Sequence, residues 1–245
     1  MHKQLFSFHI PQKIILYFLF SITLVSSSAH AARPFVTDDA RLTTAGSCQI
    51  ETWTRSYQSS LETWALPACN PTGNLEFTIG AGHAYFDDAS MHNSTDFIYQ
   101  AKTLFQKLDD HTTGIGLAVG LVHHPSIHVG PNQHGNEYAF IPISVPLMEE
   151  RIVMHLNPGV LRDKSSQEIR KTWGVGLEMN ASQRWMLIAE SFGDNSTGSY
   201  WQTGLRFAIV PNLLQIDATT GKQFSGGSDT HWMSFGLRYT PSSIF

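Results

Sequence analysis

The sequence predicts an all-β chain that folds as an up-and-down antiparallel transmembrane β-barrel of about 12 strands, preceded by a short N-terminal extension. Three observations predict this fold. Short segments of alternating polarity repeat along the chain, each of roughly ten residues, the length that a tilted transmembrane strand requires. The connections between them alternate between long and short. Beyond the first 31 residues, no apolar run approaches the roughly 20 residues of a spanning helix.

The first element is a predicted signal peptide at residues 1–31. Two lysines and a short apolar run, IILYFLFSITLV, precede SSSAHA, in which Ala29 and Ala31 are the small residues of a signal-peptidase site. The apolar run is too short to span a bilayer as a helix, so cleavage is favoured over a membrane anchor. The mature chain then comprises an N-terminal periplasmic extension at 32–45 and a barrel at 46–245.

Charge and cysteine content narrow the function classes. Without the two lysines of the signal peptide, the mature chain has 14 basic and 20 acidic side chains, a net charge of −6. A nucleic-acid surface would need clustered Lys and Arg, so no nucleic-acid partner is expected. Export leads to an oxidising compartment in which Cys48 and Cys69 can pair, although two unpaired buried thiols are the alternative.

The first predicted hairpin is the stretch ETWTRSYQSSLETWALPAC, which nearly mirrors itself. In one antiparallel register Trp53 faces Trp64, Arg55 faces Glu62, and Cys48 faces Cys69. These are an aromatic pair, an opposite-charge pair and a candidate disulfide, all of which stabilise an antiparallel ladder. With a two-residue loop, the two cysteines fall on a non-hydrogen-bonded pair, where side chains approach closely enough for a disulfide.

Ten further segments follow the hairpin: LEFTIGAGHAYF, TDFIYQAKTLFQK, TGIGLAVGLV, EYAFIPISVPLM, RIVMHLNPGVL, KTWGVGLEMN, QRWMLIAESF, SYWQTGLRFAIV, NLLQIDATTGKQF and THWMSFGLRY. Several alternate cleanly between an apolar and a polar or small face. In SYWQTGLRFAIV, for example, Trp201, Leu205 and Phe207 lie opposite Gln202 and Arg206. Such two-sided strands place one face against lipid and the other toward a lumen.

The connections favour a membrane barrel over a soluble sandwich. From the third strand onward they read DDASMHNST, KLDDH, HHPSIHVGPNQHGN, EE, RDKSSQEIR, AS, GDNSTGS, VPN and SGGSD, so long and short connections alternate. Outer-membrane barrels have short periplasmic turns and long external loops, whereas a Greek-key sandwich has no reason to sort its loops. Trp173 and Trp201 near the long-loop rim and Trp185 at the short-turn rim fit interfacial positions, while parity turns Trp232 toward the lumen.

Three stretches resemble a known family: RPFVTDDARLTTAGSCQIETW, LPACNPTGNLEFTIG and NLLQIDATTGKQFSGGSDTHWMSFGLRY. They are similar to proteobacterial outer-membrane proteins grouped as transporters of a phenol-degradation pathway. The resemblance covers most of the mature chain and implies a barrel of about 12 strands that handles small molecules. The C-terminal aromatic Phe245 also resembles the signal read by the barrel-assembly machinery, although Pro241 ends the last ladder before it.

Parity along the strands predicts the lumen-facing side chains. They are Glu76, Lys102, Tyr138, His155, Glu178, Glu190, Arg206, Asp217 and Arg238. Their mixed signs indicate a charge network rather than a selectivity ring of one sign. This network either lines a permeation path or fills a closed barrel, and the sequence favours neither.

Two other groups of residues carry weaker signals. His123, His124, His128 and His134 share one loop, but no carboxylate accompanies them before Glu137, so a solvated loop is favoured over a metal site. Ser191, Ser234 and His231 have no spacing that builds a nucleophile and base pair. No enzymatic activity, cofactor or metal is therefore expected.

The sequence is consistent with three interpretations of the protein's function. The first is a Gram-negative outer-membrane barrel that passes or binds small molecules, including apolar ones, with outer-membrane lipids and the barrel-assembly machinery as partners. The second is a structural or interaction barrel with a blocked lumen and functional outer loops. The third is a secreted soluble β protein.

Overall fold

A computed structural model describes residues 35–88, 90, 92–123, 137–163, 166–242 and 244. The signal peptide predicted at 1–31 and Phe245 lie outside these residues. The strands are β1 (Ser47–Ser56), β2 (Ser60–Asn70), β3 (Leu75–Phe86), β4 (Ser94–Gln106), β5 (Gly114–His123), β6 (Glu137–Phe140), β7 (Ile143–Leu147), β8 (Ile152–Leu156), β9 (Gly159–Arg162), β10 (Ile169–Asn180), β11 (Trp185–Asp194), β12 (Gly198–Val210), β13 (Leu214–Gln223) and β14 (Trp232–Tyr239).

The strands form one closed antiparallel barrel. The long strands follow one another around the ring in sequence order, with β6 paired to β9 and β7 paired to β8 between β5 and β10. Strand β14 closes the ring on β1 with Glu51 opposite Arg238. The described part of the chain contains one short helix, a 3₁₀ turn at Ser228–Thr230, and no helix there has the length and apolarity to cross a bilayer. The predicted fold class is confirmed: the barrel has 12 strands around its circumference.

Two of the 12 wall strands are interrupted, which the sequence prediction missed. EYAFIPISVPLM and RIVMHLNPGVL were each expected to form one strand, but each is divided, into β6 and β7 and into β8 and β9. The breaks fall at Pro142 and Pro158, which have no N–H to donate to a ladder. The N–H of Ile141 still donates to the carbonyl of Pro158 at 3.0 Å, and that of Asn157 to Gly174 at 2.9 Å, so the wall stays continuous.

The first hairpin has the predicted register. Trp53 pairs with Trp64, Arg55 with Glu62, and Cys48 with Cys69, and the two cysteines form a disulfide. The tryptophan rings stack with their centroids 5.8 Å apart. These rings point into the barrel, whereas the disulfide lies on the outer face near the short-turn rim, because the two pairs differ in parity along β1.

The outer surface of the wall is apolar and the inner surface is mixed. Along β10, for instance, Trp173, Val175 and Leu177 are exposed, whereas the alternating Gly174 and Glu178 are buried. The same alternation runs through the other long strands and exposes apolar and aromatic side chains around the circumference. A surface of this kind matches a hydrocarbon environment rather than water.

The segment before β1 lies within the barrel. Residues 35–45, the described part of the extension predicted at 32–45, run from the middle of the lumen to the rim at which β1 begins. Phe35, Thr37, Asp39 and Ala40 are buried, and hydrogen bonds join this segment to strands on opposite sides of the ring. We call residues 35–45 the plug. The sequence prediction described residues 32–45 as a periplasmic extension and did not identify a partner for it in the barrel.

Candidate functional site: the plugged lumen

All nine residues predicted to face the lumen are buried in the structure. They are Glu76, Lys102, Tyr138, His155, Glu178, Glu190, Arg206, Asp217 and Arg238. Buried charges are stable only when they are paired or hydrogen-bonded. The structure supplies many of those partners from the plug, a segment that the sequence prediction did not place near them.

Side chains of the wall accept hydrogen bonds from the backbone N–H groups of the plug. The N–H groups of Val36 and Thr37 donate to the Glu190 carboxylate at 2.9 and 2.8 Å, and that of Ala40 donates to Ser144 Oγ at 2.8 Å. An irregular buried segment has no ladder to satisfy its backbone, so these side chains take that role. Without them, the buried N–H groups would be unpaired at a cost of about 1–3 kcal/mol each.

Hydrogen bonds to wall side chains also hold the end of the plug that leads into β1. The N–H of Thr43 donates to Glu76 Oε2 at 2.6 Å, and Asn70 Nδ2 donates to the carbonyl of Thr43 at 2.6 Å. Glu76 and Asn70 belong to β3 and β2, across the ring from Glu190 on β11. The plug therefore spans the lumen from side to side.

Arg41 forms the centre of the ion network between plug and wall. Its Nη1 lies 3.2 Å from Glu178 Oε2 and 3.7 Å from Asp39 Oδ2, and its Nη2 lies 3.6 Å from Glu150 Oε2. Burial alone would lower the pKa of Arg41, but these three carboxylates outweigh that effect and raise the pKa above its ordinary value. The guanidinium therefore remains charged while the plug is seated.

Glu178 also contacts two cationic or titratable groups of the wall. Arg206 Nη1 lies 3.8 Å from Glu178 Oε1, and His155 Nε2 lies 3.5 Å from Oε2. One wall carboxylate thus connects β8 and β12 to the plug through Arg41. Arg238 forms a separate pair with Glu51 at 3.7 Å and donates to Gln49 Oε1 at 2.8 Å.

Lys102 forms a second connection between wall and plug. Its Nζ lies 3.0 Å from Asp38 Oδ1, 3.7 Å from Asp39 Oδ1 and 4.0 Å from Glu76 Oε1. Lys102 and Arg41 therefore share Asp39 between them. The two adjacent aspartates of the sequence stretch TDDA are the plug's counter-charges to a wall lysine, a role that no local pattern signalled.

Glycines on the inner face of β10 make room for the plug. A Cβ placed on Gly174 would lie 2.6 Å from Thr37 Oγ1, and one on Gly176 would lie 3.0 Å from the Phe35 ring. The first distance is shorter than real Cβ contacts, and the second is tight enough that the Phe35 ring would have to shift by a few tenths of an ångström. The glycines of the stretch WGVGLE are the one sequence signal that another segment approaches this part of the wall.

Apolar and aromatic clusters lie in the long-loop half of the lumen beside the buried ion pair of Arg55 and Glu62, and the sequence prediction did not identify these clusters. The two clusters are Tyr57, Phe192 and Trp232, and Ile98, Val122, Tyr138 and Leu161. Trp232 is fully buried, as its parity predicted, and its Nε1 donates to Gln202 Oε1 at 3.1 Å. The lumen thus has an aromatic layer near the long loops, in which Arg55 also lies 5.7 Å from the centre of the Trp232 ring, and a more highly charged layer around the plug.

Ser144, His155 and Glu178 form a row of neighbouring side chains beneath the plug. Ser144 Oγ lies 2.8 Å from His155 Nδ1, and His155 Nε2 faces Glu178 at 3.5 Å. The order resembles a nucleophile relay. Here, however, Ser144 Oγ accepts the N–H of Ala40, and all three wall side chains are buried, so the row seats the plug rather than presenting a hydroxyl to a ligand.

The weaker candidates of the sequence are not brought together. Ser191 donates to the carbonyl of Tyr200 on the outer face, Ser234 is buried on the inner face, and His231 contacts Thr220 near the long-loop rim. His123 ends β5, whereas His124, His128 and His134 lie outside the described residues. Within the residues that are described, no group of His, Cys, Asp and Glu could hold a metal ion.

These features define a porin-like β-barrel whose lumen is occupied by its own N-terminal segment. The chain belongs to the family described as "Uncharacterised conserved protein UCP029691", whose model matches residues 20–239. No curated protein matches the chain in sequence.

Solved structures share the fold at low sequence identity. The COG4313 outer membrane channel from Pseudomonas putida F1 matches with a TM-score of 0.59 and 10% identity, over 82% of this chain and 97% of that one. The NanC porin matches with a TM-score of 0.57 and 8% identity, over 79% of this chain and 100% of that one. The KdgM porin matches with a TM-score of 0.55 and 8% identity, over 79% of this chain and 99% of that one.

Proposed function

We propose that this protein is an outer-membrane channel for small molecules whose plug must move before solute passes. The proposal rests on the way in which the lumen is closed. A separate segment fills the charged layer of the lumen, and hydrogen bonds and ion pairs hold it there. Water can replace such contacts when the segment moves, whereas a barrel filled by its own wall side chains would have to unfold to open.

The proposed location is the outer membrane of a Gram-negative cell, reached through the signal peptide and the barrel-assembly machinery. The apolar exterior, the closed ladder and the porin-type relatives in fold support this location. Membrane fractionation tests it: the protein should be extracted from the outer membrane only with detergent. Recovery as a soluble periplasmic protein would reject the location and favour the secreted alternative.

The proposed solutes are small molecules with an apolar or aromatic part. The aromatic layer near the long loops supports this class, since Trp53 and Trp64 stack in the lumen and Tyr57, Phe192 and Trp232 pack together. The resemblance to transporters of a phenol-degradation pathway points the same way. Phenol and simple alkyl phenols are therefore the first solutes to test.

A reversible cross-link between plug and wall tests the channel proposal directly. A Cβ at position 176 would lie 3.5 Å from Thr37 Cβ, within the range of about 3.5–4.5 Å for a disulfide. The double variant Thr37→Cys/Gly176→Cys should therefore lock the plug when oxidised. We expect single-channel conductance and phenol flux to be low in the oxidised protein and to return after reduction.

Matched controls separate the cross-link from the substitutions. Thr37→Cys and Gly176→Cys alone, and the wild type with and without reductant, control for the new side chains and for the native disulfide. Equal conductance of the locked and reduced double variant would reject plug movement. If neither the wild type nor the reduced double variant conducts ions or transports phenols, the alternative function is favoured, namely a barrel with a blocked lumen and functional outer loops.

A further inference from the structure

The outer wall carries an apolar groove that the channel proposal does not use. The groove crosses β10 to β14 and encloses about 670 Å³, within the roughly 300–1,000 Å³ typical of ligand sites. Three small side chains form its floor, each opposite the next in register: Ala189 pairs with Thr203, and Thr203 with Thr220. The groove is therefore continuous across three strands.

Larger side chains form the side of the groove nearer the short turns. Two residues from the floor, Leu187, Leu205 and Phe235 lie in one row, with the small Ala218 between Leu205 and Phe235 in register. Leu187, Leu205 and Phe235 are all exposed on the outer face and stand above the floor. The lining therefore offers apolar contact along its length, as an extended hydrocarbon chain requires.

A cation lies at the long-loop end of the groove. Lys222 lies two residues beyond Thr220 on the same face of β13, about 7 Å along the strand. It pairs in register with Trp201, and His231 contacts Thr220 with 2.8 Å between Nε2 and Oγ1. Among the described residues, no carboxylate forms an ion pair with Lys222. An outward lysine is tolerated near a membrane interface and is costly at the midplane, so this end of the groove lies at the headgroup level.

We propose that this groove binds one molecule of lipopolysaccharide through its lipid A, with an acyl chain over Ala189, Thr203 and Thr220 and a phosphate at Lys222. The groove supplies the hydrocarbon contact and Lys222 supplies the opposite charge at its outer end. Outer-membrane barrels have their long loops outside the cell, so in the proposed location the anionic lipid at this level is the lipopolysaccharide of the outer leaflet. The inference rests on the outer-membrane location proposed above but not on channel activity.

The test is lipid retention by the purified full-length barrel in a non-ionic detergent, measured by native mass spectrometry with added hexa-acylated lipid A or phosphatidylglycerol. We expect lipid A to be retained in preference to phosphatidylglycerol. Lys222→Gln should weaken lipid A binding about fivefold, the effect of one basic side chain at an anionic lipid surface. Ala189→Phe should weaken it at least as much, because the new ring fills the floor.

Two substitutions on the same outer surface serve as controls. Lys171→Gln removes an exposed outward lysine from the long-loop end of β10, away from the groove, and Ala101→Phe adds a ring to the outer face of β4. Neither should change lipid A retention. Equal retention of the two lipids, or equal effects of the groove and control variants, would overturn the inference. Fractionation and conductance are separate measurements, so a failure of the lipid site is distinguishable from a failure of the proposed location or channel.

Discussion

Glu178→Gln is the substitution that most directly tests how the plug is held. Glu178 is 2% exposed and lies against Arg41 of the plug and Arg206 and His155 of the wall. Glutamine keeps the shape of the side chain and one acceptor oxygen but removes the charge. We expect the barrel to fold and the plug to leave its seat more often.

The magnitude follows from the contact distances. At 3.2 Å, the attraction between Glu178 and Arg41 is about 5 kcal/mol with an effective dielectric constant near 20. Removing one partner of a buried pair costs about 3–5 kcal/mol. Arg41 keeps its contacts with Asp39 and Glu150, so we expect the free energy that favours the seated plug to fall by about 2–3 kcal/mol. Because 1.4 kcal/mol is tenfold, the open population should rise about 30- to 150-fold.

The assay measures the rate at which a maleimide modifies a cysteine that replaces Thr37. This position is buried inside the lumen while the plug is seated. The native cysteines are joined to each other and do not react. When opening is faster than modification, the labelling rate follows the open population. Thr37→Cys/Glu178→Gln should label faster than Thr37→Cys by the same factor.

Glu137→Gln in the same background is the matched control. Glu137 pairs with Arg162 at 3.3 Å, but the side chains are 64% and 50% exposed, and such pairs contribute only about 0–1 kcal/mol. Its labelling rate should stay close to that of Thr37→Cys. If the two glutamine variants label at equal rates while both barrels remain folded, the ion network does not hold the plug.

Three further predictions concern the wall. Replacing Cys48 and Cys69 by serine opens a loop with a sequence separation of 21 and should cost about 3 kcal/mol on the chain-entropy model, seen as a lower thermal midpoint; an unchanged midpoint would contradict this. A cysteine at Ser126, in the long loop, should react with an impermeant maleimide in intact cells, and one at Ser182 only after lysis; the reverse pattern would invert the barrel. Gly82→Ala would place a Cβ against the Trp64 ring in the lumen. Overpacking of this kind costs about 1–3 kcal/mol, measurable as a shift in tryptophan fluorescence and in the thermal midpoint.

The wall was predictable from the sequence because a strand's faces depend on local alternation. The register of the first hairpin is an example: Trp53 opposite Trp64 and Cys48 opposite Cys69 follow from residues within about 20 positions of one another. The inward direction of Trp232 also followed from parity alone. Proline chemistry could have located the breaks at Pro142 and Pro158, but alternation on both sides concealed them.

The contents of the lumen were not predictable in the same way. Glu190 and Thr37 are 153 positions apart, and Glu178 and Arg41 are 137 apart. Neither alternation nor turn chemistry relates residues at such distances, and the two glycines of β10 indicate an approach without identifying the segment that makes it.

The sequence by itself determined the strands, the closing disulfide and the side chains that face inward, because each depends on neighbours along the chain or across one hairpin. Only the tertiary structure decided what those side chains meet. Closing the wall into a ring brings β3 and β11 to opposite sides of one lumen, and the short segment before β1 lies between them. The buried charges of the wall need partners, and residues 35–45 supply the aspartates, the arginine and the backbone N–H groups that provide them.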